Sequence, residues 1–435
     1  MDRRLRFLGA FLWAATAHAA PSVHVWPTDP APCDAASSLQ ACIDSAAEGD
    51  EVQIATDGPI PESLSVQQSL TLRAATGFEP RFSEGGGVAA TFVGLSLDTQ
   101  SIDIEGLRDL AYVAIDAGSG ARMAARVVGD GIKPPSSSGG AALALVADSG
   151  AGPCTFELSG NAIDVPAGDG GIELVESAGT MHGLVADNAI AMEGGGTAIS
   201  LDQSSGFSTV DVIANQILGS SFDGGILVQQ SGGVATVRIL DNLVVGAAGF
   251  APTGAVALGS SAGLLSTRVA NNTLVAGAVG ISATRTPSGS VGGRVANNIV
   301  VGNILLGMNL DPTVAATLMN DHNLVFANGS NVYKAGAGTV TADPLFVDPH
   351  GDYHLAVGSP AIDAGSNGAV PADLTTDLDG NPRNPGNPQG PWAWRPHVDI
   401  GAYETAPEPE GALGPAIGVA ALGVLARGRR RAARC

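Results

Sequence analysis

Three arginines recur at one position of a repeating pattern. Arg238, Arg268 and Arg294 each stand four residues before an asparagine, and Asp211 holds the same place one repeat earlier. If each repeat is one coil of a stacked structure, this column faces outward and its strands lie about 4.8 Å apart. Three aligned guanidinium groups make a stripe for carboxylate or sulfate groups of an acidic polysaccharide. The same column reads equally as a solvated outer face with an Asp211–Arg238 cross-strand pair, worth under about 1 kcal/mol. Asp377-x-Asp379-x-Asn381, with Gly380 at the turn, has the first half of a Ca²⁺ loop but Pro388 where a twelfth-position acid belongs. Its other reading is a turn whose carboxylates meet Arg383. His350 and His354 are four apart on an alternating stretch, a poor spacing for a metal pair. Acid–base work on glycosidic bonds needs two or three converging carboxylates. The chain has no Asp-Asp pair, no Gly-His-Gly and no Arg-Ile-Lys, and its only lysines are Lys133 and Lys334. No catalytic set and no cofactor follow from these residues, with Ca²⁺ the one metal to consider.

The elements that position these groups follow from a repeat. Asparagine followed two residues later by a branched apolar residue occurs at Asn161, Asn188, Asn215, Asn242, Asn272, Asn298 and Asn323, with separations of 27, 27, 27, 30, 26 and 25 residues. Three residues before them stand Leu158, Val185, Val212, Ile239, Val269, Val295 and Asn320. Further on, Ile172, Ile199, Ile226, Val256, Ile281 and Met308 each follow Gly or Ala. Each coil therefore holds at least two short alternating strands, and its length leaves room for a third. One coil cannot bury its own apolar face, whereas stacked coils bury a continuous column. The pattern predicts an all-β, right-handed parallel β-helix, its hand following the crossover rule. Propeller blades need about 40–45 residues, and leucine-rich repeats need a frame that is absent here. A stacked asparagine is both donor and acceptor, so it bonds down the column. Stacked carboxylates about 5 Å apart repel by roughly 3 kcal/mol at an effective dielectric near 20. The asparagine ladder is thus predicted to be structural and to exclude Asp.

Composition agrees with this architecture. Glycine is 60 of 435 residues, about twice ordinary usage, which fits tight coil corners. The apolar content excludes a disordered chain, and no Gly-X-Y period permits collagen. Residues 21–426 hold 13 basic against 41 acidic residues, a net charge near −28, which excludes a nucleic-acid backbone as partner.

The coils resemble those of pectate-lyase-like parallel β-helix proteins. Ser38-Leu39-Gln40-Ala41, Gly49-Asp50-Glu51-Val52 and Ser69-Leu70-Thr71-Leu72 are similar to the entry of many such proteins, where a short helix, here predicted from Leu39 to Ala47 within residues 21–50, covers the open end. The β-helix is assigned to 51–342, with no readable coil register between 76 and 140. Residues 343–404, with Asp343-Pro344-Leu345-Phe346, Gly358-Ser359-Pro360-Ala361-Ile362-Asp363-Ala364-Gly365 and Val398-Asp399-Ile400-Gly401-Ala402-Tyr403-Glu404, resemble the choice-of-anchor Q domain of bacterial surface β-helix proteins. That resemblance implies a capping module closing the β-helix. A Pro/Trp-rich insert between Asn384 and His397 departs from the family pattern.

The two ends read as addresses. Arg3, Arg4 and Arg6, an apolar run from Phe7 to Ala17 and His18-Ala19-Ala20 make residues 1–20 a signal peptide. Pro407-Glu408-Pro409, a short apolar stretch and an arginine cluster make 405–435 similar to PEP-CTERM sorting tails. That implies a Gram-negative bacterium, an exosortase-type partner and membrane contact through a tail helix alone, the arginines staying cytoplasmic. An exported chain permits a disulfide, and Cys33–Cys42 is the expected pair, with Cys154 buried and free. The sequence therefore predicts a cell-surface or extracellular-matrix protein, structural or glycan-binding. The alternatives are a polysaccharide lyase or hydrolase with an unfamiliar site, and an adhesin.

Overall fold

The computed structural model describes residues 20–405 apart from 84, 93–98, 136–138, 149–150, 249–253, 315, 333–334 and 384–396. The signal peptide up to residue 19, the Trp392 insert, Lys334 and the tail with Pro407, Glu408 and Pro409 lie outside the described residues. Among the described residues no helix is long and apolar enough to cross a membrane.

The chain winds into a parallel β-solenoid of about eleven coils. Each central coil gives one strand to each of three sheets. Sheet 1 runs from Val23–Trp26 to Leu318–Asp321, sheet 2 from Gly131–Ile132 to Leu324–Phe326, and sheet 3 from Leu64–Val66 to Ser330–Val332. Alternation turns every second side chain inward, so one apolar column per sheet fills the interior. Val127, Leu158, Val185 and Val212 form that of sheet 1, Ile163, Ile190 and Ile217 that of sheet 2, and Ile172, Ile199 and Ile226 that of sheet 3; all are buried. Small residues precede the sheet 3 column because coils meet there. A Cβ on Gly225 would lie 2.4 Å from the carbonyl oxygen of Ala255.

The corner between sheets 1 and 2 carries the asparagine ladder. The Nδ2 of Asn161, Asn188, Asn215, Asn242, Asn272 and Asn298 donates to the Oδ1 of the next asparagine, at 2.9 Å in every step. The same Oδ1 accepts the main-chain N–H of the preceding asparagine at 2.9–3.2 Å. The other Nδ2 proton goes to a backbone carbonyl at 2.9–3.0 Å, as from Asn242 to Val212. The residue before each asparagine is left-handed: Asp187, Ala214, Asp241, Asn271, Asn297 and His322 have φ between 51° and 59°. Such conformations cost of order 1–2 kcal/mol each outside glycine. The ladder offsets that cost by holding both sides of the bend.

The ladder corrects two expectations. Coil register is continuous through 76–140, where Leu107 and Asp130 occupy the asparagine position behind the left-handed Gly106 and Gly129. An aspartate is also tolerated at the ladder's end. Asp130 gives its N–H to Asn161 Oδ1 at 3.0 Å and accepts the Leu107 N–H at 2.7 Å, leaving its buried Oδ2 without a partner. Burial pushes its pKa up to about 7, and its Oδ1 fills the acceptor role that an amide oxygen has elsewhere in the ladder. Asp-exclusion holds where another amide must be given a proton, and lapses at the end, where only an acceptor is needed.

Helix α1 (Leu39–Ser45) precedes the first full coil. Ser38 Oγ accepts the Ala41 N–H at 3.1 Å, and the Glu62 carboxylate accepts the Leu39 and Gln40 N–H groups at 2.9 Å each. Its Leu39, Cys42 and Ile43 are buried, and Cys42 is bonded to Cys33. Cys154 is buried as a free thiol.

The C-terminal segment takes a different place from the one expected. The last strands of sheets 1 and 2 are met by residues 337–340, through Asp321–Ala337 and Leu324–Val340 bridges. The described residues of the 343–404 segment, expected as a capping module, pack along the outside of the ladder corner. The reason is apolar surface on that flank: Ala186, Ile213, Leu240 and Ala270 on the outer face of sheet 1 are covered by Val370 and Leu374. Leu243 and Val275 of sheet 2 pack with Tyr353, Leu378 and Tyr403.

Two substitutions test the ladder. In Asn242→Asp a second oxygen replaces Nδ2 against two acceptors, Val212 O and Asn272 Oδ1, so it is expected to lower Tm more than Asn242→Ala; the opposite ranking contradicts the geometry. Asp130 has a folded-state pKa above its unfolded one, so its contribution is full at low pH and is lost as pH rises through about 7. Asp130→Asn should therefore gain on wild type in Tm between pH 4 and 7, with no further gain above pH 8.

Candidate functional site

The arginine column lies where the spacing places it. Asp211 pairs in register with Arg238, Arg238 with Arg268, and Arg268 with Arg294 on the outer face of sheet 1. The open stripe of three cations, however, is closed by carboxylates. Arg238 holds Asp211 with two nitrogens, Nε to Oδ1 at 2.6 Å and Nη2 to Oδ2, and its Nη1 meets Asp373 at 2.7 and 2.9 Å. Those hydrogen bonds, led by Asp211, raise the Arg238 pKa against the effect of burial. Arg294 grips Asp321 at 2.7 and 3.0 Å and donates to Ser366 Oγ at 3.1 Å. Asp373 and Ser366 come from the flank segment, and no repeat or spacing places them here. Arg268, between them, is half-buried and has no hydrogen bond or ion pair among the described residues. Further along the column Arg126 ties Asp103 at 2.9 Å and Glu105 at 3.3 Å.

Two other columns share this face. Phe207, Val234 and Leu264 form an apolar row, with Phe207 60% and Leu264 45% exposed. Exposed Thr209, Thr236 and Ser266 form a hydroxyl row between it and the arginines. The surface is thus ruled in parallel lines, apolar, hydroxyl and charged, one residue per strand.

Under the flank segment lies a buried charge cluster. Arg383 is fully buried, its Nη1 2.8 Å from Glu404 Oε1 and its Nη2 3.3 Å from Asp241 Oδ1 and 3.1 Å from Gly401 O. Asp241 belongs to the left-handed ladder corner, so this contact fastens the segment to the solenoid. Asp377 and Asp399 add negative charge nearby. Burial pushes Glu404 up to about 7 and Asp241 well above the usual carboxylate range, with Arg383 opposing both. One guanidinium thus faces four acids, and burial favours the neutral forms of Asp241 and Glu404.

In the Asp377, Asp379 and Asn381 turn, Asp377 Oδ1 accepts the N–H groups of Asp379 and Asn381 at 3.0 and 2.6 Å, and Oδ2 accepts Asn381 Nδ2 and the Glu404 N–H at 3.1 and 2.8 Å. Four N–H donors thus converge on Asp377, whose charge also acts on the buried Arg383. His354 is equally engaged, Nδ1 with Asp352 at 2.5 Å and Nε2 with Asp379 at 2.7 Å. Burial works against its charge, but these two bonds outweigh it and raise its pKa. Among the described residues no group of three His, Cys, Asp or Glu side chains is arranged to hold a metal. A recess of about 250 Å³ at the last coil is lined by Leu310, Ala316, Thr317, Leu318, Met319, Asn320, Ala335 and Gly336, none of them ionisable.

The fold and this flank define a parallel β-solenoid protein with a lateral C-terminal brace. No family model matches the sequence, and no curated protein matches it. Among solved structures, the crystal structure of pectate lyase Pel9A aligns with a TM-score of 0.47 and 11% identity, over 89% of this chain and 97% of that one.

Removal of Arg383 tests the brace. Arg383→Leu leaves Asp241 and Glu404 buried without their cation, a loss of about 3–5 kcal/mol at pH 8. Protonation of Glu404, whose pKa is pushed up to about 7, relieves that buried charge, so the loss at pH 6 should be clearly smaller, as read by urea unfolding. Equal losses at the two pH values contradict the shared charge.

Proposed function

We propose that this chain is an exported, non-catalytic bacterial surface or matrix protein that holds polysaccharide along the ruled face of sheet 1. The observation that carries the reading is that face: an exposed aromatic and aliphatic row beside a hydroxyl row, repeating at strand spacing of about 4.8 Å. Apolar side chains suit the C–H faces of sugar rings, and hydroxyls suit their polar edges. Among the described residues Arg126, Arg238 and Arg294 of the column are each held by carboxylates, and Arg268 alone of its arginines is not. Export rests on the leader at 1–20. Surface attachment rests on the tail at 405–435, with Pro407-Glu408-Pro409 as the sorting motif and an exosortase-type enzyme as its partner. Helix α1 serves in this reading as the cover of the first coil.

Retardation of the purified chain in gels containing dissolved polysaccharide tests the reading. At least one polymer should retard it, with no release of reducing ends or unsaturated sugars. A Phe207→Ser, Leu264→Ser double variant should weaken retardation about tenfold, as expected when some 1.4 kcal/mol of contact is lost. Because both sites are exposed, its Tm should change by little. Polymer cleavage by the wild type, or retardation unchanged in the double variant, contradicts the reading.

A further inference from the structure

Arg268 is singular among the cations of this surface. Its neighbours in the column are held from two sides: Arg238 by Asp211 and Asp373, Arg294 by Asp321 and Ser366. The flank segment therefore touches the column at both ends and bridges over its middle. Between Ser366 and Asp373 run Asn367, Gly368, Ala369, Val370, Pro371 and Ala372, which contain no ionisable side chain. Val370 is spent on the apolar patch with Leu240 and Ala270, and Asn367 Oδ1 accepts the Val398 N–H at 3.0 Å. The segment brings a carboxylate to one arginine, a hydroxyl to another and nothing to Arg268.

A half-buried guanidinium with no acceptor among the described residues keeps its N–H groups available to an incoming acceptor. It is also unexpected on a body holding 41 acidic residues against 13 basic ones. Arg122 likewise lacks a partner, but it is exposed and solvated. Arg238 and Arg294, already neutralised, flank Arg268 without competing for an incoming anion. Ser266, two residues earlier on the same strand, and Thr236 beside it present hydroxyls next to the guanidinium.

We propose that Arg268 is an anion site that takes one oxyanion group, the carboxylate or sulfate of an acidic sugar, from a polysaccharide lying on the sheet 1 face. The planar fork of Arg268 donates two N–H bonds to the oxygens of such a group, and the hydroxyl row contacts the ring that bears it. This rests on the polysaccharide reading of the face and narrows it to acidic polymers. The wide stripe expected from the sequence contracts to a single position.

The test uses the full chain in two arms. In the first, phenylglyoxal labelling with peptide mass mapping should modify Arg268 several-fold faster than Arg238 or Arg294, and millimolar inorganic sulfate or galacturonate should slow it. In the second, retardation by polygalacturonate, a sulfated dextran and neutral dextran is compared for wild type, Arg268→Gln and Arg268→Lys. Arg268→Gln should lose about tenfold or more toward the acidic polymer that binds and nothing toward a neutral one, with Arg268→Lys between. The acidic polymer lost identifies the group as carboxylate or sulfate. Labelling of Arg268 no faster than its neighbours, absence of anion protection, or Arg268→Gln retarded like wild type overturns the site. Anion protection with no polymer retarded supports the site and overturns the polysaccharide reading. Retention unchanged in Arg268→Gln with labelling unprotected leaves the polysaccharide reading and removes the site.

Discussion

Every coil from Asn161 to Asn323 turns on one amide. From Asn188 to Asn298 its carbonyl takes two donors from the coil before, and its two protons go to the coil after and to a backbone carbonyl, so the amide itself is fully paired. This saturation permits the left-handed residue just ahead of each asparagine. The sharp bend fixes where the strand of sheet 1 stops and that of sheet 2 begins. Register in both sheets, and with it every outward column, follows from that point. Phe207, Thr209 and Asp211 face the same way as Val234, Thr236 and Arg238 because their strands end at the same bend.

The corner has a second consequence. With the bend on a fixed repeat, residues outside it also repeat, and several are apolar: Ile213, Leu240 and Ala270 on one side, Leu243 and Val275 on the other. A bare strip of this kind needs cover, and the 343–405 segment supplies it. Asp241 links the two levels. It is a bend residue of the solenoid and the acid that meets the buried Arg383 of the segment. Asn271 and Asn297 do the same with hydrogen bonds to Asp399 O and Ser366. The brace is thus built on the ladder's own strained positions, and the charge left over on sheet 1, at Arg268, is decided by where the brace lands.

The repeated parts were legible from the residues. Asparagine spacing gave the coil, the apolar residue three positions earlier gave the inward face, and alternation then placed Arg238, Arg268 and Arg294 in one outward column. What escaped was whatever depends on contacts between distant segments. Between residues 76 and 140 the ladder position holds Leu107 and Asp130, so the marker itself is missing although the bend persists at glycine. Asp373 and Ser366 lie over 70 residues from the arginines they meet, and no spacing rule joins them. The Asp377 motif read as half a calcium loop because side-chain spacing is visible in a sequence, while the four N–H donors that converge on Asp377 are not. The destination of the C-terminal segment was similarly hidden, since its apolar residues suit an open end and a bare flank equally.

The claim that the amide column holds the fold together is tested most directly by native-state hydrogen exchange at the ladder main-chain amides. The N–H groups of Asn188, Asn215, Asn242 and Asn272 donate to the next asparagine side chain and are buried with it. They should exchange only through global unfolding, sharing one denaturant slope with the core strands of sheet 2. Exchange of these amides through local opening, faster than the flanking strand amides and independent of denaturant, would contradict the account.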